Sequence, residues 1–325
     1  MRTIITITLL FFYNFSYSQN YTSPNFTIKK LAVNIYAAIA QSGGSAVCNA
    51  GIIDLGDCVL VFDPFLTPAA AIELKNFIAK NIKKPVRYVV NSHAHNDHIR
   101  GNQVFASATI IATPVTRQTI ATTEPEEIAD ENKYNPARIK YYDSIPLPKD
   151  KWQAEEDAIW RDYYKSILQS HAVLKTTLPN LVFNDSLIIY GKNTEVKLIT
   201  YGDAHTSSDL FLYLPKEKIV FTGDLLFVKR HPWIGESKGN NWINYLNKMQ
   251  LLNANVFVPG HGPVGNKNDM TGMINYLNAL ITSAEKLASV NNITNQQITD
   301  QMPAEYKEWH YRNFYPYNIK YLLKK

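Results

Sequence analysis

Between Ser92 and Arg100 the chain reads SHAHNDHIR, which crowds His93, His95, Asp97 and His98 into six positions. Imidazole nitrogen and carboxylate oxygen are ligands that zinc accepts at about 2.0–2.2 Å, usually four to an ion. Three later segments offer the same residue types. His205 lies in TYGDAHTSSD, Asp224 in KIVFTGDLLF and His261 in NVFVPGHGPVG. In an extended or turning segment His93 and His95 project to one side, so both can reach one ion with His205. Asp97 and His98 lie round the bend and, with His261, can hold a second ion. Asp224 has two oxygens and can bridge the pair, as in two-metal sites about 3.5–4 Å apart. Taken singly, each residue could be a surface or satisfied core group. Burying five histidines and two aspartates together without metal would be costly. The set therefore reads as a metal centre, with two Zn2+ ions expected and iron or mixed metal as the alternative. His171, His231 and His310 stay outside it.

Each ligand segment follows an apolar run, and strand ends braced by a sheet are where α/β proteins gather functional groups. SAVCNAGIIDLGDCVLVFDPF reads as two strands with a tight turn at Gly56-Asp57. Thr67 and Pro68 open a helix over AAAIELKNFIAKNI, and VRYVV forms a buried strand ahead of the histidines. A short helix around Gln103 to Phe105 precedes a strand at ATIIA, and Thr113-Pro114 opens another helix. Strands return at LVFNDSLIIY, EVKLITY, DLFLYLP and KIVFTGD, the last ending at Asp224, then a helix at NNWINYLNKMQLLN and a strand at NVFVPG. A long helix runs from Asp269 to about Val290. Strands alternating with helices imply layered α/β structure with helices outside. Residues 124–179 are charged, aromatic and helical in pattern, with prolines breaking them. They read as an insertion, either a lid beside the site or plain helical packing.

The 325 residues are 46% hydrophobic and 19% charged, the balance of a globular enzyme rather than a disordered chain. A net charge of +5 without a basic block argues against nucleic acid as partner. MRTIITITLLFFYNFSYSQN has an early charge, an apolar stretch to Phe12 and small residues at Ser16 and Ser18. That is an export-leader pattern, with residues 1–18 removed and 19–325 forming one domain. Asn14 interrupts the stretch too early for a spanning helix, so no stable membrane anchor is expected, and the protein is placed in the periplasm or outside the cell. Cys48 and Cys58 are ten residues apart on what look like paired strands. They read as two buried thiols, although export permits a disulfide.

HAHNDH, GDAHTSSD, TGDLLF and PGHG, in that order, resemble the metallo-β-lactamase superfamily of metallo-hydrolases from about Ala32 to Met273. Asp63 in VLVFDPF matches the acidic residue that ends an early strand in that family. The resemblance implies a four-layer αβ/βα sandwich with the metal pair in a cleft at the edges of the two sheets. Three features depart from the pattern. Arg100 and Ser208 stand where small residues are common, which would narrow the cleft. Asp224 stands where many β-lactamases carry a cysteine ligand. The 124–179 insertion is longer than in glyoxalase II-like relatives.

The expected activity is hydrolysis of a small carbonyl substrate (lactam, lactone, ester or thioester) by a metal-bound hydroxide, with β-lactamase action among the options. Asp97 would orient the nucleophile and carry a proton to the leaving group. Lys229, Arg230 and His231 follow Asp224, and of these Arg230 and His231 are the expected contacts to an anionic substrate group. Tyr201 reads as a packing aromatic. The alternative is an iron-dependent oxidoreductase of the sulfur dioxygenase kind. His95 argues against di-iron electron transfer, which places glutamate in the motif. A purely structural metal is the weakest reading, and no protein partner is implied.

Overall fold

The computed structural model describes residues 21, 23–148, 150–237, 239–290 and 292–324. The expected leader and its cleavage point lie outside the described residues. Seven strands form the first sheet in chain order: β1 (Phe26–Ala32), β2 (Ile35–Ala40), β3 (Ala50–Asp54), β4 (Val59–Phe62), β5 (Val86–Val90), β6 (Thr109–Ala112) and β7 (Leu181–Val182). β1 to β4 are antiparallel neighbours and β4 to β7 are parallel. The second sheet comprises β8 (Ser186–Tyr190), β9 (Glu195–Gly202), β10 (Asp209–Leu214), β11 (Ile219–Phe227) and β12 (Val256–His261). Only its β11–β12 pair is parallel. LVFNDSLIIY, read as one strand segment, is divided: β7 closes the first sheet and β8 opens the second. The polar Asn184-Asp185 pair marks the crossing.

Two-residue alternation along the strands builds the layers. On β4, Val59 and Val61 face one apolar cluster with α1 (Pro68–Asn81), while Leu60 and Phe62 face the other sheet. On β10, Leu210, Leu212 and Leu214 meet that inner cluster. Phe211 and Tyr213 turn outward to α5 (Gly239–Gln250), α6 (Lys267–Leu287) and, further along the chain, α7 (Asn295–Asp300) and α8 (Phe314–Leu323). The result is helix, sheet, sheet, helix. Both faces of β10 and β11 are covered, so every residue of each is buried. Each fully buried Leu or Phe is worth about 1.5–3 kcal/mol.

Two local expectations meet their physical reason here. Thr67 caps α1, its hydroxyl accepting from the Ala70 amide at 3.2 Å, with Pro68 in the first turn. Pro125 and Pro136 do not break the insertion as expected. They lie inside one continuous helix, α3 (Pro114–Ser144), which pairs with α4 (Lys151–His171). Each interior proline costs about 3 kcal/mol in lost helical bonding. The contacts with α4 and a buried ion-pair network offset it. In that network Arg100, only 1% exposed at its side chain, meets Glu124 at 2.8 Å and Glu131 at 2.9 Å. Arg100 therefore points under α3 and does not narrow the cleft. Cys48 and Cys58 are both buried and free, and neither lies on a strand.

Candidate metal centre

The ligand segments converge at one edge of the two sheets. β5 ends at Val90, and the chain turns through His93 and His95 into the short helix α2 (Asn96–Ile99), which carries Asp97 and His98. His205 sits in the loop between β9 and β10. Asp224 lies within β11, which runs on past the strand end expected at that residue. The register slips on both sides of Gly223, whose φ is +54°, so a bulge turns the Asp224 side chain out of the ladder while the strand runs on to Phe227. His261 is the last residue of β12. Gly260 must be glycine for a steric reason: a β-carbon there would collide with Asp224 Oδ1.

Donor atoms of His93, His95, His205 and Asp224 lie within 4.8 Å of one another, as do those of Asp97, His98 and His261. Asp224 joins the groups. Its Oδ2 is 3.3 Å from His205 Nε2 and 3.9 Å from His93 Nε2. Its Oδ1 is 3.2 Å from His98 Nε2 and 3.3 Å from His261 Nε2. His95 turns Nδ1 toward His205 Nε2 at 3.1 Å, and Asp97 Oδ2 is 3.2 Å from His261 Nε2. Buried His93 Nε2, His98 Nε2 and Asp224 Oδ1 make no hydrogen bond among the described residues. Orphaned inward-facing donors of this chemistry fit metal ions, a charge that buried imidazoles and carboxylates otherwise lack. All seven expected ligands are thus brought together.

Charge and hydrogen bonding orient them. Burial would raise the Asp224 carboxyl, but His261 and His98 outweigh it and hold the group well below the ordinary carboxylate range. Burial, with His98 and His95 nearby, holds His93 well below the usual imidazole value. Behind the ligands, fully buried Asp63 accepts from His98 Nδ1 at 2.9 Å with Oδ2 and from the Ser92 amide at 2.8 Å with Oδ1. Ser92 Oγ is 2.8 Å from His93 Nδ1. Such outer partners fix which ring nitrogen faces the metal. Sequence reasoning noted Asp63 only as a match in position. Its role follows from a 35-residue separation closed by the sheet.

The cluster floors a cleft of about 680 Å³ walled by α3, α4, the β2–β3 loop and the C-terminal segment. Arg230 lines this cleft, its guanidinium over the Tyr311 ring at 5.7 Å. Ser208 also lines it and shares a 2.7 Å hydrogen bond with Thr113. His231 does not reach the cleft, contrary to expectation. It is fully buried, with Nδ1 2.8 Å from the Tyr276 hydroxyl and Nε2 donating to the Tyr306 carbonyl at 3.1 Å. The apolar packing of α6 and the C-terminal turn draws it inward.

Burial pushes His231 down to about 3. The unfolded chain then binds the extra proton first, near pH 6.5, so its contribution to stability is complete above that pH and is lost as pH falls toward 3. Urea unfolding of His231→Gln and the parent protein should diverge below about pH 6.5, the parent losing up to about 1.4 kcal/mol more per pH unit. Parallel profiles would reject the buried-neutral assignment.

Residues 43–261 match the family model for the Metallo-beta-lactamase superfamily. The chain is 24% identical over 261 residues to "Beta-lactamase-like protein 2 homolog" of Caenorhabditis elegans, which covers 78% of this chain and 68% of that protein. A solved structure, "Metallo-beta-lactamase from Pontibacter korlensis", aligns with a TM-score of 0.57 at 17% identity, over 78% of this chain and 99% of the other. That likeness concerns the fold.

Proposed function

The chain belongs to the metallo-beta-lactamase superfamily, and from that premise we propose that it is an exported hydrolase that holds two zinc ions and cleaves a small carbonyl compound. A lactam, lactone, ester or thioester suits the site. One observation carries the reading: Asp224 presents one oxygen to the His98–His261 pair and the other toward His93 and His205. A carboxylate so shared is the natural bridge between two ions. When bound, the metal pair supplies a Lewis acid for the carbonyl oxygen and a water of lowered pKa.

This chain's own groups do the rest. Asp63 and Ser92 fix the orientation of His98 and His93. Asp97, 13% exposed at its side chain, stands at the cleft floor where it can hold a proton for the leaving group. Arg230 offers its charge at the cleft wall. Export to the periplasm or beyond rests on the charged, then apolar, then small-residue pattern through Ser18. Among the described residues no helix is long and apolar enough to cross a membrane. A small molecule as partner agrees with the cleft's volume.

Metal analysis of protein purified without added metal, followed by assays on nitrocefin, a lactone, a thioester and a phosphodiester, tests the reading. More than one zinc per chain with turnover of a carbonyl substrate supports it. Iron with thiol-dependent oxygen uptake would replace it by the oxidoreductase reading. Turnover of the phosphodiester alone would reject the carbonyl assignment.

A further inference from the structure

Glu156 on α4 is 1% exposed, yet no lysine or arginine pairs with it among the described residues. Its oxygens accept four hydrogen bonds: from Trp160 Nε1 at 3.1 Å, the Arg312 amide at 2.9 Å, the Tyr311 amide at 3.0 Å and His310 Nδ1 at 3.3 Å. This carboxylate therefore ties the insertion to the C-terminal segment. It also fixes Tyr311, whose φ of +64° is unfavourable for a side-chain-bearing residue. Strain of that kind persists where the surroundings over-determine the backbone, and it clusters at functional sites.

What Glu156 organises is one wall of the cleft. Trp160 packs its ring 5.2 Å from Phe314, 5.8 Å from Tyr311 and 5.9 Å from Tyr163. Tyr311 in turn stands edge-on to the ligand His261 at 5.7 Å and lies under Arg230. Trp160, Tyr163, Arg230, Tyr311 and Phe314 all line the cleft, and none of these five is fully buried. Arg230 has no carboxylate within 4.0 Å among the described residues. A run of part-open aromatic faces ending at an uncompensated guanidinium, one ring away from a metal ligand, is a recognition surface with two chemistries. Rings favour an aryl group, and the guanidinium favours a carboxylate.

We propose that this wall is the subsite for the non-reacting half of the substrate, an aryl group carrying a carboxylate, and that Glu156 is its positioning residue. The ring lies against Trp160, Tyr311 and Phe314, and the carboxylate meets Arg230. The assignment rests on the hydrolase reading for what the other half of the substrate undergoes, but its test does not depend on turnover.

Binding of three probes to the metal-loaded full chain, measured by calorimetry, separates the contributions. 4-Phenylbutyrate carries both features, hexanoate lacks the ring and 4-phenylbutanol lacks the charge. 4-Phenylbutyrate should bind roughly tenfold more tightly than either, the scale of one aromatic contact or one charge-assisted pair. Trp160→Ala should erase the advantage over hexanoate while leaving hexanoate binding and metal content unchanged. Trp160→Phe should keep most of that advantage. Glu156→Gln, which swaps an accepting oxygen for an amide donor, should reproduce the Trp160→Ala loss without removing any ring. Arg230→Ala should erase the advantage over 4-phenylbutanol. Equal affinity for 4-phenylbutyrate and hexanoate would overturn the aryl subsite. An advantage over 4-phenylbutanol that survives in Arg230→Ala would show that the metal centre holds the charge, and would overturn the arginine assignment. If the aryl preference is present but no carbonyl substrate is turned over, the hydrolase reading fails and the subsite stands.

Discussion

Asp224→Ala is expected to leave at most one metal ion per chain and to lower turnover by roughly 10³-fold or more. The size follows from several kcal/mol of transition-state charge stabilisation lost with the metal pair, each 1.36 kcal/mol being tenfold in rate. The reason is local. Asp224 supplies an oxygen to each donor group, and no other described carboxylate lies between them. Removing it leaves Asp97 as the one carboxylate still beside both His98 and His261 among the described residues, and takes an oxygen donor from each group. Asp224→Asn keeps the volume and one oxygen, and should fall between parent and alanine in metal content. Elemental analysis after dialysis reads both. Unchanged stoichiometry in Asp224→Ala would reject the bridge.

Asp97→Asn should leave the fold intact yet cut turnover per bound metal by roughly 10²–10⁴-fold, the usual worth of a positioned acid–base group. The side chain stands 3.2 Å from His261 Nε2 and 3.5 Å from His98 Nε2. Burial would raise its carboxyl, but the His98 charge and the His261 contact prevail and hold it below the ordinary range, so the group is ionised at neutral pH. Asparagine matches the shape and cannot carry a proton. Metal content must be measured alongside, because Asp97 is also a donor in the second group. Circular dichroism and melting close to the parent, with rate lost per metal, is the expected pattern. Near-parent turnover per metal would remove Asp97 from the proton path.

Sequence alone picked out the seven side chains that the fold brings together, because each is a polar residue set against an apolar run, a contrast visible without coordinates. The layers were legible because apolar strand runs alternate with helical segments along the chain. Four things were not legible. The bulge at Gly223 depends on how β11 registers against β12, a pairing of strands separated by α5. His231 and Arg230 are adjacent and equally polar in sequence, and only the packing against Tyr276 and Tyr306 sends one inward. Glu156 looked like one acid among many in a charged segment. Its partners are more than 150 residues away apart from Trp160, and two of them are backbone amides that no side-chain pattern encodes. The prolines of α3 misled because the local penalty was visible and the buried Arg100 partners were not.

The donors come from opposite halves of the sandwich: His93, His95, Asp97 and His98 follow β5, whereas His205, Asp224 and His261 belong to the other sheet. An ion gripped by both sides works as a keystone, since separating the halves would dismantle its coordination. By mass action, a cation at a free concentration a hundred times its dissociation constant, bound only in the native state, adds about 2.7 kcal/mol against unfolding. Scarcity of metal would thus weaken the architecture as well as silence the chemistry.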